Sequence, residues 1–222
     1  MLKDKFDITI AILNYNRERF IDRAIRSCLD QVLFNKTMEI IILDDCSNDN
    51  SYNKILEYKI SKNIKILKNK KNYGIGFSSQ KCLKNSRGKY FMRVDSDDFL
   101  NKYAANDLSR LLDHNKEFSF VCSDHFRVNE DGKKQKLVKL NTLNKIKNHG
   151  AGILFRKNDI LSVGGFNSNL KEAEDYELIT KLIKKNKKYF YLPIPYYRYF
   201  IHETNISHSG KRNKIISQIN KN

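Results

Sequence analysis

The fold is decided by the stretch Lys89-Tyr90-Phe91-Met92-Arg93-Val94-Asp95-Ser96-Asp97-Asp98-Phe99. Residues 90–94 predict a strand, because aromatic and β-branched residues form a short apolar run there. Three carboxylates then crowd together at the end of this strand, and like charges so close oppose one another's ionisation. A divalent cation removes the conflict, because hard cations bind carboxylate oxygens and Asp95 and Asp97 point the same way in extended backbone. The alternative is a solvated acidic turn that caps the next helix.

Strands and helices alternate through the part of the chain before this stretch. Apolar runs predict strands at 8–13, 39–43 and 64–67, and the segments between them have apolar residues at helical spacing. This order predicts a parallel sheet with right-handed crossovers, whose ligands bind beyond the carboxyl ends of the strands. We therefore expect one crevice to be lined by the polar segments that follow three of these strands: Asn14-Tyr15-Asn16, Asp44-Asp45 and Asp95-Ser96-Asp97.

The second half of the chain has a different pattern. Its predicted elements are a helix at 103–114, a strand at 118–122, a hairpin over 123–140 that turns at Asp131-Gly132, a strand at 150–155, a helix at 173–185 and a strand at 189–201 that Pro193 and Pro195 interrupt. The residues from Ser209 onward form a basic and partly amphipathic tail. No linker is long enough to separate domains, so a single domain is expected.

The composition limits the class of protein. With 222 residues, of which 40% are apolar, one domain with a substantial core is expected. The longest clean apolar runs have about six residues, against roughly 20 for a membrane-spanning helix, and no apolar segment follows the charged start to suggest a signal peptide. The cysteines lie far apart, which predicts buried thiols in a reducing compartment: Cys28, Cys46, Cys82 and Cys122.

The formal net charge of +17 has three interpretations. It fits attraction to nucleic acid, attraction to an anionic membrane surface, or a lysine-rich composition, because the lysines are scattered along the whole chain. Composition, together with attraction to a membrane surface or an anionic ligand, is favoured here. Nucleic acid is not an expected partner.

Taken in order, these motifs resemble the family 2 glycosyltransferases of the GT-A fold. The similarity extends over residues 8–207, and Asp95-Ser96-Asp97 is similar to the DxD signature of that family. The other segments that carry it are Asn14-Tyr15-Asn16-Arg17, Asp44-Asp45-Cys46-Ser47, Asn72-Tyr73-Gly74, Arg87-Gly88-Lys89-Tyr90, Gly164-Gly165-Phe166, Glu174-Asp175-Tyr176-Glu177-Leu178 and Tyr199-Phe200-Ile201-His202-Glu203-Thr204-Asn205-Ile206-Ser207. The resemblance implies an α/β GT-A domain over residues 1–208 with a mostly parallel central sheet flanked by helices. It implies a nucleotide-sugar half over about 1–100 and an acceptor half over about 101–208, followed by the basic tail at 209–222.

The resemblance also implies roles for individual residues. The nucleotide-sugar site would consist of Leu13, Asn14, Tyr15, Asp45, Asp95, Ser96 and Asp97, with Asp45 accepting the N–H of the base. Asp95, Asp97 and His202 would bind Mn²⁺ or Mg²⁺, which suit hard oxygen ligands. The alternatives are contact with the ribose for Asp95 and with the diphosphate for His202. On the acceptor side, Asp175 would be the general base, with Glu174 and Gly165 beside it.

The implied function is inverting transfer of a sugar from a nucleotide-sugar donor to a hydroxyl of a glycan or lipid-linked acceptor. UDP is the favoured nucleotide, with GDP and dTDP left open. The implied setting is the assembly of bacterial surface polysaccharide or lipo-oligosaccharide in the cytoplasm, at the inner face of the plasma membrane. The alternative is a non-catalytic basic module on the same scaffold, binding nucleic acid or an anionic membrane. The clustered carboxylates argue against that alternative, because without a metal they would repel phosphate.

Two positions depart from the pattern of the family. Ser79 and Gln80 stand where many members have Arg-Asn. Phe200 stands where an arginine is common, and Arg198 is the candidate replacement for that arginine.

Overall fold

The computed structural model describes residues 6–202 and 210–221, so residues 203–207 of the predicted closing segment lie outside it. Its strands are β1 (Phe6–Asn14), β2 (Met38–Asp44), β3 (Ile64–Lys68), β4 (Gly88–Asp95), β5 (Phe99–Leu100), β6 (Phe118–Val128), β7 (Lys134–Val138), β8 (Leu154–Arg156) and β9 (Lys188–Phe200). Its helices are α1 (Ile21–Leu29), α2 (Ser51–Glu57), α3 (Ile75–Asn85), α4 (Ala104–His114), α5 (Leu143–Lys147), α6 (Lys157–Ser162), α7 (Glu174–Lys184) and α8 (Gly210–Lys221).

The described strands form one sheet in the order β3-β2-β1-β4-β8-β6-β9-β5, and β7 pairs with β6. The first four strands are parallel, as predicted from their alternation with helices. Beyond β4, the β8, β7 and β5 pairings are antiparallel, whereas the long β6–β9 pairing is parallel. These pairings, with the helices packed on the sheet, confirm the predicted α/β class with a mostly parallel central sheet.

Both faces of the central strands are buried, which explains why those strands are apolar throughout. Ile8, Ile10 and Ile12 of β1 lie on one face with residues of α1 and α4, and Ala11 lies on the other with residues of α3 and α7. This alternation follows from the two-residue period of a strand. Among the helices that the structure describes, none is long and apolar enough to cross a membrane.

Two predictions about strands in the second half were wrong. The strand predicted at 150–155 is reduced to β8, because Gly152 has φ +71° and its N–H donates to Arg93 O outside any strand ladder. Conversely, β9 is continuous through Pro193 and Pro195. The register shifts there, so that Leu192 pairs with Ser123 and Pro195 pairs with Asp124. This bulge accommodates residues that cannot donate to the ladder.

The cysteine prediction holds for three residues. Cys28, Cys82 and Cys122 are buried free thiols, and burial raises the pKa of Cys28 to about 12. Cys46 is only partly buried, so the prediction was wrong for that residue. It has φ +65° in the turn after β2, where the chain leaves the sheet.

Candidate functional site

A cavity of about 340 Å³ lies at the carboxyl ends of β1, β2 and β4. It brings together all the predicted nucleotide-sugar residues and two of the predicted acceptor-side residues: Leu13, Asn14, Tyr15, Asp45, Asp95, Ser96, Asp97, Glu174 and Asp175. His202 lies beside the cavity in contact with Asp97, whereas Gly165 does not line it. The crevice predicted from the strand ends is therefore present, while the role of each residue stays a prediction.

The sheet register places the strand ends side by side. Asn14 is paired with Asp44 across β1 and β2, and Leu13 is paired with Asp95 across β1 and β4. The Asn14 amide donates to Asp44 Oδ1 and to Ser51 Oγ, each over 2.8 Å. Asn14 thus ties the end of β1 to the end of β2 and to the start of α2.

Asp45 shapes the rim of the cavity. Its Oδ1 accepts from Asn69 Nδ2 over 2.7 Å and from Tyr73 N over 3.0 Å, and its Oδ2 accepts from Gly74 N over 2.8 Å. The Asn72-Tyr73-Gly74 segment, noted in the sequence for its resemblance, is therefore folded around this carboxylate. Contact with a nucleotide base remains a prediction for Asp45.

The side chains of Arg17 and His202 contact the same carboxylate oxygen of Asp97. Arg17 Nε donates to Asp97 Oδ2 over 2.8 Å, and His202 Nε2 lies 2.9 Å from the same atom. Burial opposes the charge, but the hydrogen bonds with His202 and Arg17 outweigh it and lower the pKa of Asp97. Asp97 is therefore ionised at neutral pH, the form that binds a cation.

Asp95 is in the opposite electrostatic situation. Burial raises the pKa of Asp95; Arg93 opposes this shift, and repulsion from Asp97 adds to it. Arg93 Nε lies 3.4 Å from Asp95 Oδ1. Among the residues that the structure describes, Asp95 Oδ1 has no hydrogen-bond partner although it is buried. A buried carboxylate oxygen in this state is suited to a further ligand.

The residues at this edge of the sheet fit a hard divalent cation in their chemistry. Within residues 6–202 and 210–221, no group of three or more metal-ligating side chains is already arranged around one point. The fit rests on two observations. Asp95 Oδ1 is buried without a hydrogen bond among the described residues, and the Asp95 and Asp97 carboxylates repel each other, which a cation between the two carboxylates would relieve. Carboxylate oxygens and an imidazole nitrogen are ligands that Mn²⁺ accepts, and Mg²⁺ accepts the carboxylates.

The third acid of the motif, Asp98, has a structural role that the sequence does not distinguish. Tyr197 Oη donates to Asp98 Oδ2 over 2.7 Å, and Phe200 N donates to Oδ1 over 2.8 Å. Burial, followed by repulsion from its acidic neighbours, raises the pKa of Asp98 well above its usual range. These bonds fasten the end of β9 to the acidic turn and so bring His202 to Asp97.

Arg93 joins the predicted nucleotide side of the cavity, at Asp95, to the predicted acceptor side, at Glu174. Its guanidinium pairs with Glu174, the first residue of α7, and both side chains are buried, with 7% and 2% exposure. Burial opposes the charge, but the carboxylates of Asp95, Glu174 and Asp175 outweigh it and raise the pKa of Arg93. The predictions from the sequence include no role for Arg93. A lone arginine inside an apolar strand, two residues before Asp95, is the signal that could have found it.

Asp175 is held by donors from three segments. Its Oδ2 accepts from Gly150 N over 2.9 Å, and its Oδ1 accepts from Tyr176 N over 2.7 Å and from Arg212 Nη2 over 3.1 Å. A Cβ at Gly150 would lie 2.0 Å from the Cβ of Asp175, so only glycine permits this approach. The predicted general base is thus a fixed carboxylate at the cavity wall.

Two histidines lie on the predicted acceptor side of the cavity, where His149 is part of the cavity wall. The rings of His125 and His149 are stacked with their centroids 3.9 Å apart. Burial lowers the pKa of His125 to about 2 and the pKa of His149 to about 3, and nearby positive charge from Arg93 and Arg212 adds to the effect on His149. Both rings are therefore neutral at physiological pH.

Three residues singled out in the sequence lie away from the cavity. Gly165 has φ +77°, and its carbonyl accepts from Lys181 Nζ over 2.7 Å in the turn after α6. Gln80 packs against that turn, and its Oε1 accepts from Phe166 N over 2.8 Å. Arg198 donates to Pro195 O over 2.6 Å, so it does not replace the missing arginine at Phe200. Arg17 and Arg23 contact the acidic turn instead, Arg17 at Asp97 Oδ2 and Arg23 at Asp97 O.

Known proteins resemble this chain in sequence and in fold. The family model described as "Glycosyl transferase family 2" matches residues 9–176. The UDP-Glc:alpha-D-GlcNAc-diphosphoundecaprenol beta-1,3-glucosyltransferase WfgD of Escherichia coli is 32% identical over 82% of this chain and 72% of its own length. The crystal structure of S. aureus TarS 1-349 in complex with UDP-GlcNAc matches 96% of this chain and 65% of that chain, with a TM-score of 0.80 at 22% identity.

A third match is the mannosyltransferase PcManGT from Pyrobaculum calidifontis in complex with GDP-Man and Mn²⁺. It covers 91% of this chain and 60% of that chain, with a TM-score of 0.72 at 13% identity. The two structural matches confirm the GT-A fold that the motifs implied. The chain spans less than two thirds of the length of either solved neighbour.

Proposed function

Because this chain belongs to glycosyl transferase family 2, we propose that it transfers a sugar from a nucleoside-diphosphate donor to an acceptor hydroxyl with inversion at the anomeric carbon. The observation that carries the proposal is the single cavity that joins Asp95 and Asp97 to Asp175. Such a transfer has to stabilise a departing diphosphate and to remove a proton from the acceptor. Asp95 and Asp97 would serve the first requirement by binding a cation beside the diphosphate, and Asp175 would serve the second by accepting the proton.

The nucleotide side is formed by the strand ends. Leu13, Asn14, Tyr15, Asp45 and Ser96 line the cavity where the nucleotide sugar would lie. A divalent cation, Mn²⁺ or Mg²⁺, bound by Asp95, Asp97 and His202, would neutralise charge on the departing diphosphate. Arg17 holds Asp97 in its ionised form, and Asp98 fixes the β9 end that carries His202.

The acceptor side is formed around Asp175. The acceptor oxygen bonds to the anomeric carbon, the bond from that carbon to the diphosphate oxygen breaks, and the acceptor proton passes to the Asp175 carboxylate. Glu174 does not share this role in the proposal, because its carboxylate is paired with Arg93 inside the protein. We place the nucleotide-sugar half at about 1–100 and the acceptor half at about 101–208, of which 203–208 lie outside the described residues.

The donor proposed first is a UDP-sugar, and the acceptor is a glycan or a lipid-linked glycan. Support comes from the name of the E. coli relative, a UDP-Glc-dependent enzyme acting on a diphosphoundecaprenol-linked sugar, and from the TarS complex with UDP-GlcNAc. The PcManGT complex contains GDP-Man, so GDP remains the second candidate, followed by dTDP. We propose the assembly of a bacterial surface polysaccharide as the process.

Thermal unfolding with UDP, GDP or dTDP, each with and without Mn²⁺, tests the donor and the metal together. One of the nucleotides should stabilise the protein only when Mn²⁺ is present, by about 2.7 kcal/mol at a hundredfold excess over Kd. UDP-glucose is then offered with a GlcNAc-diphospholipid, and with water alone to measure hydrolysis. A stabilisation that survives chelation would contradict the metal site, and the absence of any nucleotide effect would contradict the donor site.

An anionic membrane surface is the proposed setting for a lipid-linked acceptor, and it is supported by the net charge of +17. Binding to vesicles that contain phosphatidylglycerol should weaken with salt, because exposed charges are screened at about 8 Å in physiological buffer. Equal binding to neutral and anionic vesicles would contradict this setting. Tight binding to duplex DNA at physiological salt would instead favour the alternative of a basic binding module.

A further inference from the structure

Helix α8 has one buried arginine, Arg212, whose side chain lines the cavity. Arg212 is 8% exposed and lines the cavity, whereas Lys211, Asn213 and Lys214 around it are exposed. The sequence treats this region as a basic tail, and nothing in its composition distinguishes Arg212 from the lysines beside it. Burial of a single arginine in an otherwise exposed basic helix calls for a specific partner.

That partner is the carboxylate of Asp175. Arg212 Nη2 lies 3.1 Å from Asp175 Oδ1 and 3.4 Å from Asp175 Oδ2, so one nitrogen contacts both oxygens. Gly150 N meets Oδ2 from the loop before β8, and Tyr176 N meets Oδ1 from within α7. The carboxylate is therefore restrained by three separate pieces of the chain, of which α8 is the most distant in sequence.

Helix α8 is itself fastened to α7. Tyr176 Oη donates to Asn220 Oδ1 over 3.1 Å, two turns beyond Arg212 on the same helix. Ile215, Ile216 and Ile219 are partly buried. The helix therefore has an anchor of its own, and Arg212 reaches Asp175 from a defined position.

We propose that Arg212 is a positioning residue for the transfer: its guanidinium holds the Asp175 carboxylate in the orientation in which it accepts the proton of the acceptor hydroxyl. This inference rests on the function proposed above. Arg212 keeps its own protons, because a guanidinium is not deprotonated in proteins. Its contribution is orientation, and a misplacement of about 1 Å at a reacting group can cost about 10²-fold in rate.

The first test is Arg212→Gln, which keeps a donor but removes the charge and the forked geometry. The kcat for transfer from UDP-glucose, and for its hydrolysis by water, should fall about 10- to 100-fold, while the donor KM and the UDP Kd stay within about twofold. Arg212→Lys should recover part of the loss. Gln218→Ala on the exposed side of α8 and Lys185→Gln, a surface cation, are controls expected to keep wild-type rates.

The second test asks whether Arg212 acts through Asp175. In the double variant Asp175→Asn/Arg212→Gln, the loss of kcat should be no greater than in Asp175→Asn alone, because a residue that orients a base has no effect once the base is gone. Fully additive losses would overturn the inference and place Arg212 in direct contact with substrate. If Arg212 were purely structural, Arg212→Gln would lower the free energy of unfolding and leave the kcat of the folded enzyme unchanged, which would overturn the inference.

Two outcomes separate this inference from the function on which it rests. Wild-type kcat in Asp175→Asn would contradict the base, and with it the proposed function of this residue. Loss of activity in Asp175→Asn together with wild-type kcat in Arg212→Gln would overturn the role of Arg212 alone. If Arg212→Gln does not fold, Tyr176→Phe decides: it removes only the anchor of α8, and an unchanged kcat in that variant would overturn the inference.

Discussion

The two sides of the cavity are built by different means. On the proposed nucleotide side, Asn14 and Asp95 lie at the ends of adjacent parallel strands, and the register of the sheet sets their positions. On the proposed acceptor side, Asp175 lies on a helix, and its carboxylate is held by Gly150 and Arg212 from two other segments. A backbone ladder thus fixes one side, whereas side-chain and loop contacts fix the other. Substitutions on the two sides should therefore change nucleotide binding, turnover and stability in different ways.

The largest expected effect separates the two acids by the same chemical change. Asp97→Asn and Asp175→Asn should each lower the kcat for transfer by at least about 10²-fold, because a positioned carboxylate base alone contributes about 10²- to 10⁴-fold. Only Asp97→Asn should also weaken nucleotide binding in the presence of Mn²⁺, by about tenfold or more. Asn keeps the size of Asp and one accepting oxygen but cannot take the proton at neutral pH.

Calorimetry of UDP binding, beside turnover of UDP-glucose, measures this difference. Binding of UDP to Asp175→Asn as tightly as to the wild-type protein is the expected control. If both variants lose nucleotide binding to the same extent, the two sides are not separate sites and the comparison fails.

A second expected effect concerns Arg93, which links the two sides. Arg93→Met leaves Glu174 buried without its partner, and loss of one partner of a buried ion pair costs about 3–5 kcal/mol in the free energy of unfolding. The double variant Arg93→Met/Glu174→Met should recover the part of that loss that comes from Glu174, because the carboxylate left buried without its partner is removed with it. Urea unfolding of the single and double variants measures the difference.

The matched control is an exposed pair that also connects the first half of the chain to the second. Arg19 pairs with Glu130, and their side chains are 70% and 51% exposed. Arg19→Met should change the free energy of unfolding by less than about 1 kcal/mol. If Arg19→Met and Arg93→Met lower the free energy of unfolding by similar amounts, burial of the Arg93–Glu174 ion pair does not determine its contribution to stability.

The smallest expected effect is the pH dependence of stability. Burial lowers the pKa of His125 to about 2 and that of His149 to about 3, against about 6.5 in an unfolded chain. At pH values between the folded and the unfolded pKa, the histidines bind protons in the unfolded state but not in the folded state. The contribution of these two residues to stability is therefore complete above about pH 6.5 and is lost as the pH falls towards 3.

His125→Phe should flatten this loss, by about 2 kcal/mol between pH 6.5 and pH 5. Urea unfolding at a series of pH values provides the measurement, with His114→Gln on the exposed side of α4 as the control. Both histidines belong to the proposed acceptor half, and residues 1–100 contain no histidine. An equal acid loss in His125→Phe and the wild-type protein would assign the sensitivity to other groups.

The sequence by itself determined the parallel part of the fold and the meeting of the polar strand-end residues in one cavity. Alternating apolar segments of strand and helix length leave few other arrangements, and the carboxyl ends of parallel strands must meet at one edge. The predicted hairpin is likewise present, with Gly132 at φ +79° between β6 and β7. The strands, their common edge and the hairpin follow from the spacing of apolar residues within each segment and from the order of the segments along the chain.

The tertiary structure alone decided the remainder. It shortened the strand predicted at 150–155, where Gly150 approaches Asp175, and it separated Asp98, which fastens β9, from the two acids that line the cavity. It also brought Arg93 to Glu174 and Arg212 to Asp175. The residues of each of these pairs lie far apart in the chain, on elements whose own sequences do not encode the contact. Their pairing follows from the packing of those elements, because a buried charge is stable only where the folded chain supplies its partner.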